Sequence, residues 1–368
     1  MAVVPILQKA SFCGLQLRNR LVVAPMTRVS ATADGIPTAR MAAYYSAFAR
    51  GEFGLILSEG IFPEASYGPA YARQPGLVTE AQVQGWRKVI EAVHAAGGII
   101  FAQLMHAGAL SQCLEQTLAP SAIRPRGAKM PEYGGSGPFP MPRALDRNDI
   151  VRIIESFARS AQLALAAGFD GIEIHGANGY LIDQFLTDYT NHRADEYGGD
   201  VQGRARFACD VLRAVRTEVG VHVPVGMRLS QTKVNDFTYR WPGGEPDARV
   251  IFAAVRAAGA SYIHIAGEGR TWRDSAQLLG SEQSLTQIAR TVSQLPVIAN
   301  GGLQDPDLAD GLLREGHADL ISLARAAIAN PDWPQRLRTG AGLRPFEPEL
   351  IHPEATLENT DRWMARSH

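Results

Sequence analysis

The stretch Gly171-Ile172-Glu173-Ile174-His175-Gly176-Ala177-Asn178-Gly179-Tyr180 decides how the rest of the chain is read. Its first half is a brief apolar run bounded by glycine, the pattern of a strand covered on both faces. Such a strand delivers His175 to whatever lies beyond its carboxyl end. Gly176 and Gly179 lack a Cβ and allow sharp turns, which would bring Asn178 and Tyr180 back toward the same point.

Working outward, the same grammar recurs along the 368 residues. Strand-like runs are expected at Leu21 to Ala24, Gly54 to Ser58, Ile99 to Leu104, Gly171 to His175, Val223 to Arg228, Tyr262 to Ala266, Pro296 to Asn300 and Leu320 to Leu323. Helical patterns lie between them, at Arg40 to Arg50, Glu80 to Ala96, Asn148 to Ala167, Arg204 to Val219 and Asp247 to Ala258, several ending at a glycine (97, 168, 220 and 259). Eight strands alternating with helices predict an α/β fold, a (β/α)8 TIM barrel. Residues 1–20 contain a β-hairpin, Ala10 to Arg18, with Gly14 at its turn, expected to close the barrel floor. Residues 107–146, rich in Pro and Gly, form a long capping excursion after strand 3, on the face where barrel active sites sit. No linker divides the chain, so 1–368 is expected to be one domain.

Composition excludes several classes. Lys plus Arg (36) nearly balance Asp plus Glu (37), leaving a net charge of -1 that recruits neither nucleic acid nor an anionic membrane. The expected partner is a small molecule, with the chain a monomer or homo-oligomer. Lysine stands only at 9, 88, 129 and 233, which leaves few candidates for Schiff-base chemistry. Cys13, Cys113 and Cys209 have neither disulfide-frame nor metal-site spacing, so no metal is expected. No apolar run reaches membrane-spanning length, and the short run from Val3 to Leu7 lacks a basic start. The expected location is the cytoplasm.

If the strands are placed correctly, Thr27, Glu59, Gln103, His106, His175, Asn178, Arg228, Asn300 and Arg325 converge on one face. Asn300-Gly301-Gly302 after strand seven and Ala324-Arg325 after strand eight suit a phosphate, which barrels hold in those loops with backbone N–H groups and a guanidinium. His175 and Asn178 as neutral donors, with the Tyr180 phenol at a reference pKa of about 10, suit an oxyanion beside a proton source. On these residues an α-hydroxy-acid oxidase or dihydroorotate-type FMN barrel, a flavin-free aldolase or isomerase, and a non-catalytic ligand-binding barrel all stay open.

From Leu17 to about Leu337 the chain resembles the old yellow enzymes, FMN-dependent ene-reductases that use NADPH or NADH. Asn19-Arg20-Leu21-Val22-Val23-Ala24-Pro25-Met26-Thr27-Arg28 looks like their first-strand signature, and Gln103-Leu104-Met105-His106-Ala107-Gly108 like the third. The resemblance implies that Thr27 hydrogen-bonds the flavin O4 and tunes its potential, and that Gln103 binds the pyrimidine edge. Arg228 would lie near N1 and steady the reduced anion, while Gly301, Gly302 and Arg325 hold the phosphate. Pro25, Met26, Gly60, Asn300 and Ala324 complete the implied cofactor contacts. His175 and Asn178 would bind the oxygen of an activated alkene: an unsaturated aldehyde or ketone, a maleimide or a nitroalkene. Hydride would reach the β carbon from flavin N5 and a proton the α carbon from Tyr180, in net trans addition.

Ala109 departs from the family's usual Arg, Ala324 from its usual Gly, and Asp200, Gln202 and Gly203 from its usual Ser, Glu and Asn. Arg193 and Asp195 read as an ion-pair lock on the loop after strand four. The loops from Gln231 to Gly244 and Gly267 to Gln283, with Tyr239, Trp241 and Trp272, are expected to shape specificity.

Overall fold

The computed structural model describes residues 5–267 and 271–366. Two short antiparallel strands, β1 (Ala10–Phe12) and β2 (Leu15–Leu17), come first. Then follow β3 (Leu21–Val23), β4 (Leu55–Ile61), β5 (Ile100–Leu104), a parallel pair β6 (Leu118–Ala119) and β7 (Arg143–Ala144), β8 (Gly171–Asn178), β9 (Val225–Lys233), β10 (Tyr262–Ile265), β11 (Val297–Asn300) and β12 (Leu320–Leu323). Eight of these close a barrel in the order β3-β4-β5-β8-β9-β10-β11-β12. All neighbours in it are parallel, including β12 with β3. The (β/α)8 fold expected from the strand pattern is the fold found.

The strands are buried along their whole length because helices cover one face and the barrel interior the other; every residue of β4, β5, β8 and β9 is buried. The helices start at local signals. Thr79 and Asp146 form reciprocal capping boxes with Gln82 and Asp149, opening Glu80–Ala95 and Arg147–Ala167. Asp200 caps Val201–Val219 by accepting from Gly203 N–H at 2.9 Å, so the departures from the family pattern after Gly199 still build a helix start. Gly168, at φ 105°, ends its helix in the left-handed conformation that any side chain would strain. Gly226 is required for a different reason: a Cβ there would stand 2.2 Å from the Tyr262 ring, which fills the barrel interior.

β1 and β2 form the expected hairpin, turning through Cys13 and Gly14, both at positive φ. Ala10, Phe12 and Leu17 pack against Val22, Leu55, Phe101, Tyr262 and Leu320, which plugs the barrel floor. At the opposite end, the 107–146 excursion lays Leu110 and Phe139 against Tyr71, Met105 and Tyr180. Arg193 pins it, holding the Asp195 carboxylate through two nitrogens and donating to the carbonyls of Pro120 and Leu145 at 3.0 and 2.6 Å.

Three strands outrun their expected limits, β4 continuing past Ser58 to Ile61. β8 continues past His175 to Asn178, and β9 past Arg228 to Lys233, with a register shift between Gly176 and Asn178. The glycines interrupt the ladder without ending it, so the turn expected after His175 is a bulge within paired strands.

Glu59 and Arg28 fasten the loop after β3. The Glu59 carboxylate accepts from Arg28 N–H at 3.1 Å and from the Tyr45 hydroxyl at 3.3 Å. The fully buried Arg28 guanidinium donates to the carbonyls of Ala355 and Thr356 in the C-terminal segment. Burial pushes the Glu59 carboxyl up to about 7, against the opposing pull of the Arg28 N–H and charge and the Tyr45 hydroxyl. A raised carboxyl pKa means that the folded state holds a proton the unfolded chain releases, so this contribution is full below the unfolded pKa and lost as pH rises toward 7. Relative to Glu59→Gln, the parent should lose up to about 3 kcal/mol between pH 4.5 and 8. Thermal melts of both proteins across that range check it; a difference that does not change with pH contradicts it.

Candidate functional site

His175 ends the straight part of β8, and the residues after it are held individually. Asn178, at φ 64°, occupies a left-handed conformation uncommon for a residue with a side chain. It is fixed there because its N–H donates to Ser230 Oγ at 2.8 Å and its carbonyl accepts from Val234 N–H at 3.1 Å. Gly179 N–H donates to Asp183 Oδ2 at 2.7 Å, and its carbonyl accepts from Gln184 Nε2 at 2.7 Å. Lys233 Nζ completes the frame with a 2.5 Å contact to Asp183 Oδ1. Burial opposes charge on both partners of that pair, and each is the largest counterweight for the other. Lys233 also lies 4.7 Å from the Tyr239 ring centroid, so this lysine is committed to structure and is not a free amine nucleophile.

His175 is buried, and burial, reinforced by the charge of Arg228 and by His264, holds its pKa well below that of an ordinary histidine. The ring is therefore neutral near pH 7. Ala177 N–H donates to Nδ1 at 3.3 Å, which makes Nδ1 the acceptor and Nε2 the N–H donor. The Tyr180 ring stands edge-on to His175, centroids 5.1 Å apart, and its hydroxyl contacts that of Tyr71. Register sets Arg228 beside His175 on one side and His264 on the other, so a guanidinium is built into the wall of the same mouth.

The loops after β11 and β12 present the second half of the site. Gly301 and Gly302 have φ of 120° and 63°, and a Cβ on Gly302 would meet nothing nearer than Thr271 Cα at 3.6 Å. The turn is therefore open on the side that a Gly302 side chain would occupy. Ala324 precedes the helix Arg325–Ala329, where its methyl occurs without disturbing the helix start, and the exposed Arg325 guanidinium lies 5.7 Å from the Phe346 ring centroid. Pro25, Met26 and Thr27 leave β3 half-buried at the same end. A flavin mononucleotide needs phosphate donors, amide partners for its pyrimidine edge and a cation near N1. The glycine turn with Arg325, the Gln103 amide and Arg228 are a donor set of that kind.

Other expected site residues also have contacts within the protein. Glu59 belongs to the Arg28 clasp. His106 donates Nε2–H to Glu64 at 3.0 Å, because its Nδ1 accepts from Gly108 N–H, and Glu64 in turn pairs with Arg152. The Asn300 side chain bridges strands, donating to the Ser322 carbonyl at 3.1 Å. Gly60 is small because a Cβ would lie 2.7 Å from Met105 Sδ. Ala109 gives its N–H to Gln184 and lines, with Gly179, Lys233 and Tyr189, a small pocket. Trp241 and Trp272 are buried, packed on Phe252 and His317. Residues 268–270 of the second loop lie outside the described residues.

Sequence reasoning missed Ser230, Asp183, Gln184 and Tyr71. Their signal was faint: Ser230 follows Arg228 at strand spacing, and Asp183 and Gln184 are polar residues inside an apolar run.

The NADH:flavin oxidoreductase / NADH oxidase family profile matches residues 10–343. The chain is 34% identical to 12-oxophytodienoate reductase 7 of Oryza sativa subsp. japonica, over 94% of this chain and 91% of that one. It is 34% identical to a probable flavin mononucleotide-dependent alkene reductase of Leishmania infantum, over 92% of each. The structure of the old yellow enzyme homologue from Zymomonas mobilis superposes with a TM-score of 0.85 at 33% identity, covering 97% of this chain and 98% of that one. No described helix is long and apolar enough to cross a membrane. The chain belongs to the NADH:flavin oxidoreductase / NADH oxidase family and is an FMN-dependent NAD(P)H oxidoreductase of the old yellow enzyme type.

Proposed function

We propose that this protein is an ene-reductase: it reduces C=C bonds activated by a carbonyl or nitro group, in unsaturated aldehydes and ketones, maleimides and nitroalkenes. It does so as a single FMN-binding barrel domain acting in the cytoplasm. The observation that carries the reading is the fixed tautomer of His175, whose Nδ1 is occupied by a backbone N–H. That leaves Nε2–H as a neutral donor beside Asn178, with the Tyr180 ring 5.1 Å away.

The hydride chemistry belongs to bound FMN, which NADH or NADPH reduces. The chain's own part is positioning and proton handling. Arg325 and the Gly301-Gly302 turn would hold the phosphate of FMN, Gln103 its pyrimidine edge, and Thr27 and Arg228 its polar ring atoms. Pro25, Met26, Gly60, Asn300 and Ala324 would line the same cradle. His175 Nε2–H and Asn178 hold the substrate's carbonyl or nitro oxygen and stabilise the negative charge that grows on it as the β carbon is reduced. Tyr180 delivers its phenolic proton to the α carbon, and the Tyr71 hydroxyl at hydrogen-bond contact offers a path for its replacement. Rigid anchoring of Asn178 by Ser230 and of Gly179 by Asp183 keeps these donors aimed without reorganisation.

Stopped-flow separates the two halves of the cycle. In Tyr180→Phe, flavin reduction by NADPH should stay within about twofold of the parent, while reoxidation by a cyclic enone slows by about 100-fold or more, the usual worth of a positioned general acid. Unaltered enone turnover removes Tyr180 from the acid role. In His175→Ala/Asn178→Ala, enone affinity should fall by about tenfold or more, the cost of two lost hydrogen bonds; unchanged affinity contradicts the oxygen-binding assignment. Because burial keeps His175 neutral, the parent's enone affinity should show no inflection between about pH 6 and 7, where an ordinary histidine titrates. A pH titration of enone binding to the holoenzyme checks this, and an inflection there contradicts it.

A further inference from the structure

Below His175, inside the barrel, runs a chain of polar side chains of which the proposed reaction uses only Gln103. Gln103, Glu173, His264 and Ser322 come from β5, β8, β10 and β12, and none is more than 2% exposed. Gln103 Nε2 donates to Glu173 Oε1 at 2.8 Å. Glu173 Oε2 faces His264 Nδ1 at 2.9 Å and accepts from the Tyr262 hydroxyl at 3.3 Å, and His264 Nε2 meets Ser322 Oγ at 2.9 Å. Burial, helped by Arg228, outweighs Glu173 and keeps the His264 pKa below that of an ordinary histidine. The ring is therefore neutral: its Nδ1–H donates to Glu173 and its Nε2 accepts from Ser322. Burial raises the Glu173 carboxyl, but the hydrogen bonds it accepts from His264 Nδ1–H and the Gln103 amide, with the Arg228 charge nearby, outweigh it and favour its carboxylate form.

A buried carboxylate is a poor choice for stability alone. Well-packed apolar side chains in place of buried charges are often neutral or stabilising. What an ionised carboxylate does supply is direction: it only accepts, so it selects the NH₂ end of Gln103 and turns the carbonyl end away from itself. Without it the two ends of the amide are nearly interchangeable. The pyrimidine edge of a flavin is not symmetric in this respect, because its N3–H is a donor flanked by two carbonyl acceptors.

We infer that Glu173 is the positioning residue for Gln103, fixing the amide so that its carbonyl oxygen accepts from the flavin N3–H. This rests on the reading that Gln103 holds the pyrimidine edge. His264, Tyr262 and Ser322 serve the carboxylate by holding its second oxygen. The amide that meets the cofactor is thus oriented by a relay across the barrel.

The test measures FMN retention. Holoenzymes of the parent, Glu173→Gln, Glu173→Asp, Gln103→Ala and the Gln103→Ala/Glu173→Gln pair are diluted stepwise, and released FMN is measured in the ultrafiltrate. Glu173→Gln, which can donate as well as accept, should release FMN at about tenfold higher protein concentration than the parent. Glu173→Asp keeps the charge but withdraws it by one methylene; it should shift the same way, and it serves if Glu173→Gln does not fold. Gln103→Ala should also retain FMN less tightly, and the pair no less tightly than Gln103→Ala alone, because a residue acting through Gln103 has nothing left to position. Equal additional loss in the Gln103→Ala background overturns the inference, as does parent-like retention in both Glu173 variants. Parent-like retention in Gln103→Ala overturns the cofactor contact itself and the inference with it.

Discussion

The mouth of the barrel depends on one irregularity, the bulge between β8 and β9. A regular parallel ladder would carry β8 onward with its side chains alternating between core and helices, and Asn178 could not turn back beside His175. The shift between Gly176 and Asn178 breaks that alternation, and the left-handed Asn178 redirects the chain. Such a conformation persists only where neighbours over-determine it. Here the neighbours are Ser230 and Val234 on one side and the Asp183–Lys233 pair on the other. A buried ion pair adds little stability by itself. Holding the Gly179 N–H and the end of β9 together gives this one a geometric purpose.

The same economy governs the interior. The barrel core is not hydrocarbon throughout: Gln103, Glu173, His264 and Arg228 sit at its centre, each with a partner of complementary role. Below them Phe12, Phe101, Tyr262 and Leu320 form an apolar floor. The floor supplies the stability that lets the upper layers carry charge. Burial then makes those charges useful, since it keeps His175 a neutral donor.

Strand and helix positions were legible because both obey short-range rules: apolar runs of strand length, acceptors before helices, glycines after them. Gly97, Gly168, Gly220 and Gly259 all take positive φ near the helix ends where the pattern put them. Bulges and long-range ties were not legible. Nothing local in Gly176-Ala177-Asn178 announces that pairing to β9 resumes after it. Glu59 and His106 read as site residues because they follow strands, yet partners distant in the chain, Arg28 and Arg152 with Glu64, draw them into structural ties. The residues from His175 to Tyr180 were readable because glycine spacing there is itself the mechanism of the turn.

In the proposed ene-reductase two halves would meet at that mouth, one holding a phosphorylated flavin and one a polarised double bond. The proposal makes a stereochemical claim: hydride would arrive on the face of the alkene turned to the flavin, and the Tyr180 proton on the other. The direct measurement is reduction of a cyclic enone bearing substituents at both its α and β carbons, with NADPH in deuterated water, followed by NMR of the product. The account predicts one solvent deuterium at the α carbon, trans to the hydrogen delivered to the β carbon. Cis addition, or an α carbon without solvent deuterium, would contradict it.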